Sequence, residues 1–488
     1  MIDEPAAVDY QRPRRMTRLA ILDDSASVRA NTATPLEPTI ATRKLYVHTF
    51  GCQMNEHDTQ RMGEILARKG FTRTSAADEA DLVLVNTCSV REHAVQKALS
   101  ELGRLRQHKH TRGTRIAVTG CVAQQEGDKL LKKYPEIDLV LGPDNIFQLG
   151  ALVDRVFSGE RLAYAELDES PGFQFLGSES AGVRSGRTSA FVTVQKGCDK
   201  HCSYCIVPIV RGAEVSRPLE EIVAEVERLV DSGVADVTLL GQNIDAYRDP
   251  KARRFDALLR AVGGLPRLRR LRFTTSHPND FSEPMARAMA EVETICEHLH
   301  LPAQSGSDAI LKRMYRGYTK QRYLEKIAMV RALIPDVRLT SDLIVGFPGE
   351  TEDDFQQTLA LVDEAGFDGA FVFAYSVRPK TPAAPWPDDV PEAVKRERLH
   401  RLNDALSATA IRRAKRFVGR VQEVLVEGPS RTNKDVLAAR NRHNHVVLFS
   451  AGGEPIAPGM FVPVRITAED SGYSLRAERV STEALRCA

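Results

Sequence analysis

No uninterrupted apolar run in the 488 residues is long enough to cross a bilayer, so no membrane partner is expected. No export signal is expected either, because Asp23-Asp24 interrupt the short apolar stretch behind Arg14-Arg15. Net charge is scarce: 67 basic against 65 acidic residues leave +2, so any surface that attracts nucleic acid must be local. Cysteine is scarce as well. Eight in so long a chain do not make a disulfide scaffold, and their clustering points to a reducing, cytoplasmic compartment. The single tryptophan, Trp386, lies in the stiff extended stretch Pro382-Ala383-Ala384-Pro385-Trp386-Pro387. What remains is a globular composition, 42% hydrophobic and 27% charged, in a chain long enough for two to four domains.

Three of the eight cysteines fall in Cys198-Asp199-Lys200-His201-Cys202-Ser203-Tyr204-Cys205. Thiolates at this spacing on one tight loop bind three corners of an iron–sulfur cube and leave the fourth iron open to a substrate. A structural zinc site would normally show two close pairs of ligands, and no second pair follows. His201, the immediate neighbour of Cys202, is badly placed to close a tetrahedron. A redox cluster is therefore expected, with zinc as the alternative.

Residues 1–42 show no sustained apolar period and read as a disordered extension, with Met16 a second candidate start. From Lys44 the chain alternates strands (44–50, 81–86, 115–119, 137–141) with amphipathic helices, which predicts a parallel sheet covered on both faces. Cys52, Cys88 and Cys121 each follow a strand's carboxyl end, the edge where open α/β sheets hold ligands. They are either small buried residues at tight turns or a second three-thiolate cluster. The domain is placed at 43–158, followed by a linker at 159–188 that is dense in Gly and Ser beyond Pro171.

Strands at 191–195, 234–240, 268–275, 297–302, 337–345 and 369–375, separated by helices, predict a partial (β/α)6 barrel within 189–417. The cysteine loop follows the first of these strands. The other segments after strand ends are Gly241-Gln242-Asn243, Ser276-His277-Pro278, Gln304-Ser305-Gly306-Ser307 and Gly346-Phe347-Pro348-Gly349-Glu350. Each alone could be a plain turn, but together they form a candidate cofactor rim. Cys296 reads as a core residue and Cys487 as a free terminal thiol. His57, His93 and His277 lack partners at metal spacing. A helix over 391–417 carries Arg396, Arg412, Arg413, Lys415 and Arg416, which form either a solvated face or a phosphate-binding stripe. Short strands at 421–426, 446–449, 460–466 and 473–479 predict a small β-barrel within 418–482.

From about Lys44 to Val480 the chain resembles the methylthiotransferases of the radical S-adenosylmethionine superfamily: a cluster domain, the radical barrel and a carboxyl-terminal TRAM domain. The context Thr49-Phe50-Gly51-Cys52-Gln53-Met54-Asn55 is similar to the branch that acts on prenylated tRNA. So are Val207-Pro208, Arg211-Gly212 and Val215-Ser216-Arg217-Pro218. The resemblance implies an α/β enzyme that places a methylthio group on C2 of N6-isopentenyladenosine beside the anticodon. It assigns a [4Fe-4S] cluster to Cys198, Cys202 and Cys205, and a second, sulfur-supplying one to Cys52, Cys88 and Cys121. S-adenosylmethionine would lie near Tyr204, Gly241, Gln242, Ser276, Gln304, Gly346 and Gly349, although Tyr204 also reads as an ordinary loop aromatic. The five basic residues of the 391–417 helix would face tRNA together with the TRAM domain. An electron donor such as flavodoxin or ferredoxin is implied, and a monomer is expected. Methylthiotransferases acting on a ribosomal protein or on threonylcarbamoyladenosine share these modules. A non-catalytic metal-binding RNA module is the alternative of another class.

Overall fold

The computed structural model describes residues 43–89, 92–167, 188–452 and 455–481. The expected extension at 1–42, most of the expected linker, Cys487 and the side chain of His93 lie outside the described residues.

The first sheet grows from short aliphatic runs. Its elements are β1 (Arg43–Thr49), α1 (Gln53–Arg68), β2 (Phe71–Arg73), β3 (Leu82–Thr87), α2 (Glu92–Arg112), β4 (Arg115–Gly120), α3 (Cys121–Glu126), α4 (Asp128–Lys133), β5 (Leu139–Leu141), α5 (Leu149–Phe157) and β6 (Leu162–Tyr164). The strands are parallel in the order β2-β1-β3-β4-β5-β6. Alternate residues of the central strands feed opposite cores. Leu82, Leu84 and Ala117 pack with α1 and α5, while Val83, Val85, Ile116 and Val118 pack with α2 and α3. The two edge strands were not expected, because three residues are too short to show a period; β6 lies in the stretch read as linker. The single helix expected after β4 is two, broken at Gly127 with φ +49°.

The second unit runs β7 (Ser189–Thr193), β8 (Gln195–Lys196), α6 (Val207–Arg211), β9 (Val215–Ser216), α7 (Leu219–Asp231), β10 (Asp236–Leu240), α8 (Phe255–Gly263), β11 (Arg270–Phe273) and α9 (Glu283–Glu291). It continues with β12 (His298–His300), α10 (Asp308–Arg313), α11 (Lys320–Leu333), β13 (Arg338–Val345), α12 (Glu352–Ala365), β14 (Gly369–Ala374) and α13 (Glu392–Ala414). Parallel sheets β7-β10-β11 and β12-β13-β14 meet through a bridge between Leu271 and Ile295, which gives the expected open six-stranded barrel. β8 and β9 form a small antiparallel ribbon at its mouth.

The third unit is a closed five-stranded barrel of β15 (Val421–Pro429), β16 (Val436–Arg440), β17 (Val446–Ser450), β18 (Phe461–Asp470) and β19 (Ser474–Arg479). The strand β16 was not expected, since Ala438 and Ala439 dilute its alternation.

The two smaller units dock on opposite ends of the (β/α)6 barrel. At the strand amino ends, Arg270, Arg272 and Arg338 donate to backbone carbonyls of residues 440–444 and of Glu423, while Arg442 reaches back to Glu297 at 2.6 Å. Cys296 is buried there, remote from the cysteine loop. At the carboxyl ends, the first sheet is joined by buried charges. Arg61 meets Glu225 at 2.6 Å, Arg217 meets the same carboxylate at 2.8 Å, and Lys196 meets Asp144 at 2.7 Å. Buried His57 bonds Thr193 Oγ1 at 2.9 Å. Among the described residues no helix is long and apolar enough to cross a membrane.

Removing one partner of a buried pair leaves a charge without its counter-ion, at a cost of about 3–5 kcal/mol. Glu225→Ala is expected to lose stability toward the lower end of that range in denaturant unfolding, because buried Arg61 and Arg217 both lose this carboxylate while Arg61 keeps Glu64 at 3.1 Å.

Candidate active site

β1, β3 and β4 are neighbours in the sheet, and each is followed within three residues by a cysteine. Cys52 caps α1, Cys88 follows β3, and Cys121 opens α3. The pairing of Thr87 with Gly120 sets Cys88 and Cys121 side by side at the carboxyl edge. Gly120 has φ +86°, and a Cβ there would lie 2.3 Å from Thr87 O, so no larger residue fits the turn that aims Cys121. Asn55 ties this edge together, with Nδ2 donating to Thr87 O at 2.8 Å and to Asn86 Oδ1 at 3.2 Å.

The second triad lies between β8 and α6. Gly197 turns the loop with φ +71°, where a Cβ would lie 1.9 Å from Ala213 O. Burial and the neighbouring Cys202 push the thiols of Cys198 and Cys205 up to about 12. Burial raises Cys121, with Cys52 adding to the rise and Arg211 opposing it. Without a metal group these stay neutral thiols, since thiolates so close would repel one another; a cationic metal group would displace their protons. Among the described residues no three Cys, His, Asp or Glu side chains converge on one metal ion. A four-iron cube holds its thiolates farther apart than one ion does, and three cysteines outside any disulfide at each place suit that donor set.

The two triads share a helix. α6 begins two residues after Cys205, and Ile206 and Val210 pack directly on Cys121. Arg211, its last residue, reaches Asp58 of α1 at 2.7 Å and interacts with Cys121. Cysteine spacing carried no hint of this link.

The expected cofactor rim gathers round the second triad, largely through residues sequence reasoning passed over. Gln195 Oε1 accepts from the amides of Gln242 and Asn243 at 3.0 and 3.3 Å, while its Nε2 donates to Gly197 O. Asn243 and Lys200 both bond Asp280, at 2.7 and 2.8 Å. Ser276 Oγ donates to buried Asp245 at 3.0 Å. Arg316 donates to Cys202 Sγ at 3.3 Å and to the Tyr204 hydroxyl at 3.4 Å. A polar Gln195 within the apolar run of β7 and β8 was the one available signal. A Cβ at Gly241, Gly346 or Gly349 would meet Gln195, the Lys395 stem or the Arg313 guanidinium, so each is a close approach of backbone to a side chain. Gln304, at φ +68°, bridges to β13.

The basic segment of α13 and the turn that follows it, Lys415–Phe417, are largely engaged with the barrel. Arg413 and Arg416 both pair with buried Asp368, Arg412 pairs with Asp363 at 2.9 Å, and Lys395 and Arg398 brace the turn at Gly346–Glu350. Arg396 and Lys415 are exposed.

Three family models match the chain: Uncharacterized protein family UPF0004 over residues 44–142, the Radical SAM superfamily over 192–362, and the TRAM domain over 415–480. The chain is 45% identical over 446 residues to a tRNA-2-methylthio-N(6)-dimethylallyladenosine synthase of Alkalilimnicola ehrlichii, covering 90% of this chain and 97% of that protein. It is 48% identical over 436 residues to the protein of the same name in Anaeromyxobacter dehalogenans, covering 88% and 93%. Among solved structures, the radical S-adenosylmethionine methyltransferase TsrM of Kitasatospora setae, with cobalamin and a [4Fe-4S] cluster bound, aligns with TM-score 0.51. That alignment has 16% identity and covers 70% of this chain and 77% of that one, a likeness of fold.

Burial pushes the Asp245 carboxyl up to about 8, with the bonds from Ser276 and the His277 amide opposing and Asp280 adding to the rise. The folded chain therefore holds this proton more tightly than the unfolded one, where the carboxyl titrates near about 4. Its contribution is full below that value and is lost as pH rises through about 8. Asp245→Asn, which stays neutral, is expected to gain in melting temperature relative to wild type as pH rises from about 4 to about 8, with no further change above that, in thermal-shift measurements.

Proposed function

This chain belongs to the family of tRNA-2-methylthio-N(6)-dimethylallyladenosine synthases, and from that premise we propose that it places a methylthio group on C2 of prenylated adenosine in tRNA. It is a radical S-adenosylmethionine transferase, and its cofactors include S-adenosylmethionine and a [4Fe-4S] cluster. The finer reading assigns that cluster to Cys198, Cys202 and Cys205, and a second, sulfur-supplying cluster to Cys52, Cys88 and Cys121. The observation that carries it is α6, which starts beside one triad and packs on the other.

The chemistry explains why both are needed. The adenine C2–H bond is unactivated, and no side-chain base usefully removes that hydrogen, so the reaction needs a carbon-centred radical from a cofactor. When bound, the first cluster supplies the electron that cleaves S-adenosylmethionine. The chain's own residues then position and shield. Gln195, Asn243 and Asp280 hold the rim, Gly197 and Gly120 aim the thiols, and the buried charged joint keeps the two edges together. An electron-transfer protein such as flavodoxin or ferredoxin would deliver the electron to a monomeric enzyme.

Anaerobic incubation of reconstituted protein with S-adenosylmethionine, reductant and prenylated tRNA is expected to add a methylthio group to the nucleoside, read by mass spectrometry. Gain only on an offered ribosomal protein would overturn the substrate. Replacing Cys198, Cys202 and Cys205 with Ala is expected to abolish 5'-deoxyadenosine formation. Replacing Cys52, Cys88 and Cys121 is expected to stop sulfur insertion while some cleavage persists; modified base from that variant would displace the second cluster from these residues.

A further inference from the structure

We propose that the open pocket formed by Lys312, Arg313, Tyr315, Trp386 and Pro387 is a stacking site for an unpaired nucleotide of the RNA, next to the one that reacts. The inference rests on the tRNA reading above and adds where the neighbouring nucleotide is held.

The end of α10 is the first observation. Tyr315 N donates to Lys312 O at 3.1 Å and Arg316 N to Leu311 O at 3.0 Å, the paired bonds of a helix end that requires a left-handed residue between them. That residue is Tyr315, at φ +57°. Glycine is the residue that takes this conformation without strain, and a bulky aromatic rarely adopts it. Burial does not explain the choice, since Tyr315 is 51% exposed. What it gains is position: its ring meets Trp386 edge-on, 6.2 Å between centroids.

Trp386 is backed in turn. Phe347 lies edge-on to it at 6.0 Å and leans on Tyr375 at 5.1 Å and Tyr204 at 6.4 Å. Two exposed or half-exposed aromatics on a rigid support therefore border a cavity of about 410 Å³, a volume ordinary for a small-ligand pocket. The charge beside them is positive. Arg313 lies 5.2 Å over the Trp386 ring, Lys312 is exposed, and among the described residues neither pairs with a carboxylate. Arg413 and Arg416, near the third domain, are paired with buried Asp368, whereas Lys312 and Arg313 at this rim keep their charge available to phosphate.

The pocket is also tied to the site of chemistry. Ser203, between Cys202 and Cys205, bonds both its walls: N to Met314 O at 3.1 Å, Oγ to Arg313 O at 2.8 Å, and O from Ala383 N at 2.8 Å. Aromatic faces accept any base and lysine and arginine accept any phosphate, which suits a flanking nucleotide and not the base that must be identified.

Trp386 is the only tryptophan, so its fluorescence reports on this pocket alone. Titrating the holoenzyme with a prenylated anticodon hairpin is expected to change that emission. Tyr315→Gly is expected to weaken hairpin binding by about tenfold, the size of one lost base stack. Its melting temperature is expected to hold or rise, because glycine relieves the left-handed strain. Lys312→Ala is expected to lower the slope of affinity against salt by about one phosphate contact. Wild-type affinity and salt slope in both variants would overturn the proposal. So would emission that responds to flavodoxin and not to RNA. A wild-type protein that neither binds nor modifies the hairpin would sink the tRNA reading itself; modification with an unresponsive Trp386 would sink only this pocket.

Discussion

Everything the enzyme must do depends on the buried charged joint between its first sheet and its barrel. Arg61, Glu225 and Arg217 form one chain of ion pairs, and Lys196 with Asp144 and Arg211 with Asp58 form two more. Buried charges are tolerable only when paired, and each unmatched one costs about 3–5 kcal/mol. An apolar contact can slide by a fraction of a side chain at little cost; a carboxylate shared by two guanidinium groups cannot. The joint therefore admits essentially one placement of the sheet edge bearing Cys52, Cys88 and Cys121 against the loop bearing Cys198, Cys202 and Cys205. On the two-cluster reading proposed above, the radical reaction needs that fixed placement, because reacting atoms displaced by an ångström lose most of their advantage.

The other end of the barrel imposes a different constraint. The TRAM domain is held at the strand amino ends by arginines that bond its backbone, so it sits a full strand length from the chemistry. With β13 eight residues long, that is roughly 25 Å. On the tRNA reading proposed above, RNA held by both would run along the barrel's flank, and the anticodon loop would meet separate contacts at the mouth. The proposed aromatic and basic pocket pinned to Ser203 would fill that place, while Arg398 and Arg413 of α13 act inward as counter-ions to Glu350 and Asp368.

Sequence alone determined the chemistry and the broad architecture. Thiol spacing is a local property, so the cysteine loop was legible, and the strand–helix alternation located the barrel's six strands and the turns that follow them. The three earlier cysteines were legible for the same reason: a strand end is a local signal, and parallel topology carries successive strand ends to one edge. Short strands with no room for a period, β2, β6 and β16, were not legible.

Only the tertiary structure decided which local features meet. Gln195, Asp245 and Arg211 look like ordinary polar residues until folding brings them to the rim and to Cys121. A Cβ at Gly241, Gly346 or Gly349 would meet the chain's own side chains, and of the basic residues singled out in 391–417, Arg412, Arg413 and Arg416 pair with Asp363 or Asp368. Charge and glycine report what a position permits; whether the partner is solvent, ligand or a distant carboxylate depends on contacts many residues apart in the chain.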